Sequence, residues 1–169
     1  MTVGTDHHPF DRLVGWVDRW AERNPAVEVL IQRGNSAEPT FATSIPLMGY
    51  DELVGAMAAA DAVVAQGGPA GIVDARSVGH RPIVVARRPE LHEHVDGHQV
   101  RFTRWMAERG TITLADDEAE LGRLLDQAIR DPSTFRIELD HGDVAQTVAA
   151  FAAVVEPLIE SHIARRRPR

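Results

Sequence analysis

The chain contains no cysteine and no lysine among its 169 residues. Without cysteine it has no disulfide, no thiolate metal site and no cysteine nucleophile, and this composition fits a reducing cytoplasm. Its basic residues are all arginine, and the formal net charge of -7 argues against a protein that binds nucleic acid. No apolar run reaches the ~20 residues that cross a bilayer, and no signal peptide is visible at the start. We therefore expect a cytoplasmic protein.

Length and composition indicate one globular domain over residues 1–169. Hydrophobic residues make up 44 % of the chain and charged residues 25 %, which is ordinary for a domain with a packed core. Strands are predicted over 1–3, 27–31, 41–48, 62–65, 82–85 and 111–114, and helices over 9–23, 50–60, 70–78, 94–108, 117–130 and 143–165. Apolar strands that alternate with helices predict an α/β fold with a doubly wound, mostly parallel sheet. Such folds bind ligands beyond the carboxyl ends of their strands.

The strongest motif is a glycine-rich turn at 66–71, Gln-Gly-Gly-Pro-Ala-Gly, between a predicted strand and a predicted helix. Missing side chains let a ligand approach the backbone, and a helix N-terminus points amide groups at an anion such as a diphosphate. Asp74 lies about one helical turn beyond Gly71, where a carboxylate accepts hydrogen bonds from ribose hydroxyls. The alternative is a tight turn that needs glycine only for packing. The dinucleotide pattern G-x-G-x-x-G is not matched, which disfavours a nicotinamide or flavin.

Two polar segments also follow predicted strands. The segment 87–99 holds three histidines and three acids, but their spacing does not match H-E-x-x-H. It is therefore open to three interpretations: a metal site, a solvated loop, or polar contacts to a sugar diphosphate, of which we favour the last. The first loop, Gly4-Thr5-Asp6-His7-His8, offers backbone amides and a hydroxyl to the same ligand.

In this order, the motifs resemble the C-terminal domain of family 28 glycosyltransferases. The resemblance rests on Thr2-Val3-Gly4-Thr5 with 9–13, on 61–75, on 79–85 and on the pair His98-Gln99. More narrowly, the chain is similar to the separate catalytic subunit of two-part enzymes, the dolichol-linked N-acetylglucosamine transferase and the bacterial exopolysaccharide glycosyltransferases. The resemblance implies a single Rossmann-like domain, the C-terminal half of a GT-B fold.

The resemblance also implies a donor site without metal or cofactor, in which helix dipoles and basic groups stabilise the departing diphosphate. The expected donor-binding or nucleotide-binding residues are Gly4, Thr5, Gln66, Gly67, Gly68, Ala70, Gly71, Asp74, Arg87, His98 and Gln99. Four positions depart from the family pattern. Gln66 stands where many members have His, Gly71 where Thr or Ser is common, Asp74 where Glu is usual, and Ala86 where Pro is usual.

The implied reaction is transfer of a sugar from a nucleoside diphosphate sugar, expected to be a UDP-sugar, to a lipid-linked or glycan acceptor. The chain is too short to include an acceptor domain, so we expect a membrane-associated acceptor-binding partner that holds it at the cytoplasmic membrane face. The catalytic base is expected on that partner, with His7 and Asp6 as weaker local candidates. The sequence leaves a homo-oligomer open.

Two alternative functions accompany this hypothesis. In the first, the chain is a non-catalytic nucleotide-sugar-binding or regulatory subunit of the same fold, as the departures at Gln66 and Gly71 would allow. In the second, it is an isomerase of the nucleotide-sugar epimerase type, although the catalytic acids and the larger two-domain structure of that class are not evident. The basic tail, 163–169, has two interpretations of its own. Either it is attracted to an anionic membrane surface at ~1 kcal/mol per arginine, or it is a frayed soluble end.

Overall fold

Helices and strands alternate along the chain in the computed structural model, which describes residues 1–139 and Ala153. The helices are α1 (Asp11–Arg23), α2 (Tyr50–Ala59), α3 (Pro69–Ser77), α4 (His98–Glu108) and α5 (Glu118–Arg130). The strands are β1 (Leu30–Gln32), β2 (Thr43–Ile45), β3 (Val64–Gln66), β4 (Ile83–Val85) and β5 (Thr113–Leu114). Short 3-10 helices cover Pro89–Leu91 and Pro132–Phe135.

The strands are all parallel to their neighbours. β1 pairs with β2, and β4 lies between β3 and β5. Thr2 joins the two groups through parallel bridges to Gln32 and Ala65. With residues 1–3 taken as the first extended segment, the order across the sheet is third, second, first, fourth, fifth, sixth. This is the strand order of the doubly wound Rossmann sheet, so the predicted fold class is confirmed.

Both faces of the sheet are covered. Ile83 and Val85 of β4 belong to a core with α1 and α5, whereas Val84 belongs to a core with Ile72 of α3. Because side chains alternate along a strand, these cores lie on opposite faces. The helical spacing of five apolar residues near the start of the chain predicts an inward face, and all five are buried: Phe10, Leu13, Val14, Val17 and Trp20.

Several element boundaries differ from the sequence-based predictions. The first strand is reduced to bridges at Thr2. β1 begins at Leu30 and not at Val27, because the Val27 amide donates to the Asn24 carbonyl in a turn. α4 begins at His98 and not at residue 94, because the Asp96 carboxylate accepts a 2.8 Å hydrogen bond from the His98 amide and fixes a turn there.

Apart from Ala153, the predicted helix over 143–165 and the basic tail over 163–169 lie outside the described residues. Among the residues that are described, no helix is both long and apolar enough to cross a membrane.

Candidate functional site

The strand order reverses between the first extended segment and β3, which is where a doubly wound sheet is expected to form its ligand crevice. Two of the predicted site segments meet there: the loop after Val3 and the glycine turn after β3. Gly4 has φ of +75°, a conformation that favours glycine, and a Cβ added to it would lie 3.1 Å from Gln66 Nε2. Gln66 therefore bridges the first loop and the glycine turn.

The glycine turn forms the beginning of α3. Gly68 is the N-cap residue, Pro69 follows it, and no side chain caps the helix. The amides of Ala70 and Gly71 are among the first-turn groups that lack an intrahelical acceptor, so they are available to an anion. A Cβ on Gly68 would collide with Gln66 Nε2, so the carboxamide of Gln66 covers this turn. The buried Gln66 Oε1 has no hydrogen-bond partner among the described residues.

The three glycines of the turn have different surroundings. A Cβ on Gly67 would lie 2.8 Å from Thr103 Cγ2 and 3.0 Å from Gln99 Oε1, so glycine is required there for packing against α4. A Cβ on Gly71 would meet nothing closer than 3.7 Å, which is ordinary van der Waals contact. Packing therefore explains Gly67, and it does not explain Gly71.

The predicted pair His98-Gln99 divides into an outer and an inner residue. The His98 side chain is 47 % exposed, whereas Gln99 is only 3 % exposed. Gln99 Oε1 accepts a 3.2 Å hydrogen bond from the Arg87 amide and lies against Gly67. His98 is thus accessible to a ligand, and Gln99 supports the glycine turn from below.

Asp74 on α3 has an aromatic neighbour that the sequence analysis missed. The Tyr50 hydroxyl lies 3.4 Å from Asp74 Oδ1, and Tyr50 is 66 % exposed. A helix that follows a parallel strand begins at the carboxyl edge of the sheet, so the position of Tyr50 at the start of α2, just after β2, was a usable signal. A carboxylate beside an open aromatic ring is suited to a ribose and its base.

The comparisons with known proteins decide the family. The model of the glycosyltransferase family 28 C-terminal domain matches residues 1–139. The chain belongs to this family. The sequence-based recognition of family 28 is thereby confirmed, and its narrower likeness to split enzymes stays a prediction. Neither the curated proteins nor the solved structures gave a significant match.

Arg87 of this glycosyltransferase domain lies two residues after β4 and contacts separate parts of the chain. It is fully buried, and its guanidinium donates to the carbonyls of Val3 (2.9 Å), His8 (2.8 Å) and Glu93 (3.1 Å). The guanidinium carbon, Cζ, also lies 4.7 Å from the centroid of the Phe10 ring. The bonds are made by Nη1 and Nη2, whereas the buried Nε has no partner among the described residues, and through them Arg87 fastens the first loop to the loop before α4. The structure gives Arg87 this supporting position, and the direct donor contact expected from the sequence stays a prediction.

An ion pair strengthens the same junction of the glycosyltransferase domain. Arg12 Nε donates to Glu93 Oε1 at 2.7 Å and its Nη2 donates to Oε2 at 2.8 Å, with both side chains largely buried. Arg12 also donates to the Ala86 carbonyl at 2.9 Å, and Glu93 accepts from the Arg88 amide at 2.8 Å. Because the partners are distant in sequence, no local motif predicts this pair.

The two candidate bases in the first loop differ in their surroundings. The His7 side chain is 82 % exposed, whereas Asp6 Oδ1 accepts hydrogen bonds from the amide (2.8 Å) and ring Nδ1 (2.7 Å) of His8. Burial raises the pKa of Asp6, but the hydrogen bonds from His8 and the charge of Arg87 together outweigh this effect, so the pKa lies below its ordinary value. Asp6 is therefore a weak proton acceptor and holds the His8 ring in place.

Proposed function

We propose that this domain binds a UDP-sugar in the crevice and transfers the sugar to a lipid-linked or glycan acceptor presented by a partner subunit. Family membership supplies the reaction class, sugar transfer. The observation that supports the donor most directly is that the uncapped N-terminus of α3 is followed one turn later by Asp74, whose carboxylate lies 3.4 Å from the Tyr50 hydroxyl.

The proposed donor lies along α3. Its diphosphate faces the amides of Ala70 and Gly71, where the helix dipole contributes about half a positive charge. Its ribose hydroxyls donate to Asp74, and its uracil stacks on Tyr50. The sugar then extends toward the first loop, where Thr5 and His98 offer polar groups. Gly4, Gly67, Gly68 and Gln99 shape the crevice without contributing charge.

The proposed reaction needs neither metal nor cofactor. The acceptor hydroxyl attacks the anomeric carbon, the bond from that carbon to the diphosphate oxygen breaks, and UDP leaves with the bonding electrons. The amides at the start of α3 stabilise the charge that develops on the leaving diphosphate. The hydroxyl proton passes to a base, which we assign to the partner because Asp6 has a lowered pKa and is bound to His8. His7 is the local alternative.

The partner completes the enzyme in this proposal. The matched family describes a C-terminal domain, and a GT-B enzyme binds its acceptor mainly in the other half. We propose that this half is a membrane-associated subunit at the cytoplasmic face, since a lipid-linked acceptor resides in the membrane. The domain itself then attaches peripherally, through the partner.

Titration of the purified chain with UDP tests the donor site. Because hydrogen bonds to a charged group contribute about 1.5–3 kcal/mol, Asp74→Ala should weaken UDP binding roughly 10- to 150-fold. Asp61→Ala removes the same side chain just before β3, at the opposite edge of the sheet, and should leave the affinity unchanged. Absence of UDP binding by the wild-type chain, or an equal loss in both variants, would contradict the proposal.

A non-catalytic nucleotide-sugar-binding subunit is the second candidate, and Gly71 favours it. This position lacks the hydroxyl common in the family, although a Cβ there meets only ordinary contacts. Gly71→Ser should therefore be tolerated and should restore a hydroxyl beside the diphosphate. UDP binding without transfer in the presence of the partner, in both the wild type and this variant, would favour the non-catalytic subunit.

A further inference from the structure

We infer that a histidine cluster beside the crevice binds one divalent transition-metal ion. We define this histidine cluster as the six residues Asp6, His7, His8, His94, Asp96 and His98. They come from the first loop and from the loop before α4, which are far apart in the sequence. This inference does not depend on the proposed donor or reaction.

The side chains of the cluster are already close to one another. One ligand atom from each of Asp6, His7 and His8 lies within 4.8 Å of the others, and the same holds for His94, Asp96 and His98. Two nitrogen or oxygen ligands of one zinc ion, each at ~2.0–2.1 Å from it, lie within about 4 Å of each other. Small side-chain rotations therefore suffice to bring either set around an ion.

His94 connects the two sets. Its Nε2 lies 3.4 Å from Asp6 Oδ2, and its side chain is only 13 % exposed. Its ring centroid is 6.0 Å from that of His8 and 4.7 Å from that of His98. His94 thus belongs to one set and contacts the other, so the two sets form one continuous cluster, which distinguishes it from scattered surface histidines.

The hydrogen bonds within the cluster have the form seen around metal-binding histidines. Asp6 Oδ1 lies 2.7 Å from His8 Nδ1, and Asp96 Oδ1 lies 2.5 Å from His98 Nδ1. A carboxylate that accepts from one ring nitrogen fixes the orientation of the imidazole and leaves the other nitrogen for a metal ion. Each loop therefore contributes at least one histidine oriented in this way.

Charge and donor type specify the class of ion. Two carboxylates and neutral imidazoles give the cluster a formal charge of -2, which a divalent cation offsets. The two arginines that hold these loops have other partners: Arg87 donates to backbone carbonyls, and Arg12 pairs with Glu93. Imidazole nitrogen favours Zn²⁺, Co²⁺ or Ni²⁺, whereas Mg²⁺ prefers oxygen ligands. A bound ion would join the two loops from outside, as Arg87 joins them from within.

Metal titration of the chelator-treated full chain, without nucleotide, tests the inference. Isothermal titration calorimetry with ZnCl₂ should show saturable binding of one ion per chain, and MgCl₂ should show none at the same concentrations. CoCl₂ should give the visible absorption bands of a protein-bound ion. A wild-type chain without saturable zinc binding would overturn the inference.

Variants separate the cluster from adventitious binding. His94→Gln should weaken zinc binding at least ~10-fold, as loss of a ligand or of its support does in known sites. His92→Gln removes an exposed histidine of the same loop and should leave the affinity unchanged. If His94→Gln does not fold, His98→Gln replaces it, because the His98 side chain is half exposed. Equal zinc affinity in the wild type and the cluster variant would refute the metal site. UDP binding, measured in zinc-free buffer, reports on the donor site separately.

Discussion

Replacement of Gly67 by alanine should destabilise the domain, because the added methyl group has no room. Its carbon would lie 2.8 Å from Thr103 Cγ2 and 3.2 Å from Gln99 Cβ, against the ~3.5–4.0 Å of a normal carbon contact. Thr103 cannot turn away freely, since its hydroxyl donates to the Gln99 carbonyl at 2.9 Å inside α4. Either α4 or the turn must therefore shift.

The expected cost follows from this overlap. Overpacking a buried site by one methyl group costs about 1–3 kcal/mol. For a chain of this size, each kcal/mol lowers the melting temperature by about 2–4 °C, which gives a decrease of roughly 2–12 °C. Thermal unfolding followed by circular dichroism, at equal protein concentration, measures it.

Gly71→Ala is the matched control on the same turn. Its added Cβ would lie 3.7 Å from Thr2 Cγ2 and 3.9 Å from Ala65 Cβ, both ordinary contacts. Alanine also favours a helix over glycine by up to about 1 kcal/mol, so this variant should be as stable as the wild type or slightly more stable. If Gly67→Ala melts like the wild type, or if both variants lose the same stability, the packing explanation of Gly67 is wrong.

Two further predictions concern stability. Glu93→Gln should lower the free energy of unfolding, measured by chemical denaturation, by about 3–5 kcal/mol, because it leaves the largely buried Arg12 without its counter-charge. The control, Glu118→Gln at a half-exposed ion pair, should lower it by at most about 1 kcal/mol. Similar losses in both variants would contradict the role of burial. Burial lowers the pKa of His80 below its ordinary 6.5, so its neutral form contributes stability that is fully present above pH 6.5 and is lost as the pH falls through the lower folded-state pKa. His80→Gln can retain the hydrogen bond to the Met57 carbonyl. It should reduce the fall in melting temperature between about pH 7 and about pH 5. If the melting temperature of the variant falls as steeply as that of the wild type, His80 is not the source of the pH dependence.

Features of this fold that depend on local sequence were predictable, and those that depend on distant pairs were not. The apolar spacing from Phe10 to Trp20 predicted the buried face of α1, and the break at Pro46 agrees with the end of β2 at Ile45. The start of α4 was predicted too early, because a side-chain hydrogen bond from Asp96 decides it and periodicity does not.

The candidate site shows the same division. Its location followed from the order of strands and glycine turns, since parallel strands end at a common edge. The buried position of Arg87 did not follow, because its three acceptors lie in separate parts of the chain. The place of Tyr50 at the carboxyl edge could have been predicted from its position after β2, but its contact with Asp74 could not, because that contact exists only once α2 and α3 lie side by side.

The join between the two groups of strands has a consequence for motion in the domain. Among residues 1–139, the first extended segment joins the two groups: the Thr2 amide donates to Val64, the Gln66 amide to Thr2, the Val3 amide to Gln32 and the Gln32 amide to Met1. A seam with two such hydrogen bonds on each side is expected to open locally at a lower free energy than global unfolding. A donor that touches both Gly4 and the glycine turn would hold the two edges of the seam together. Nucleotide binding should then slow hydrogen exchange at the amides of Val3 and Gln66 more than at the amides of β4.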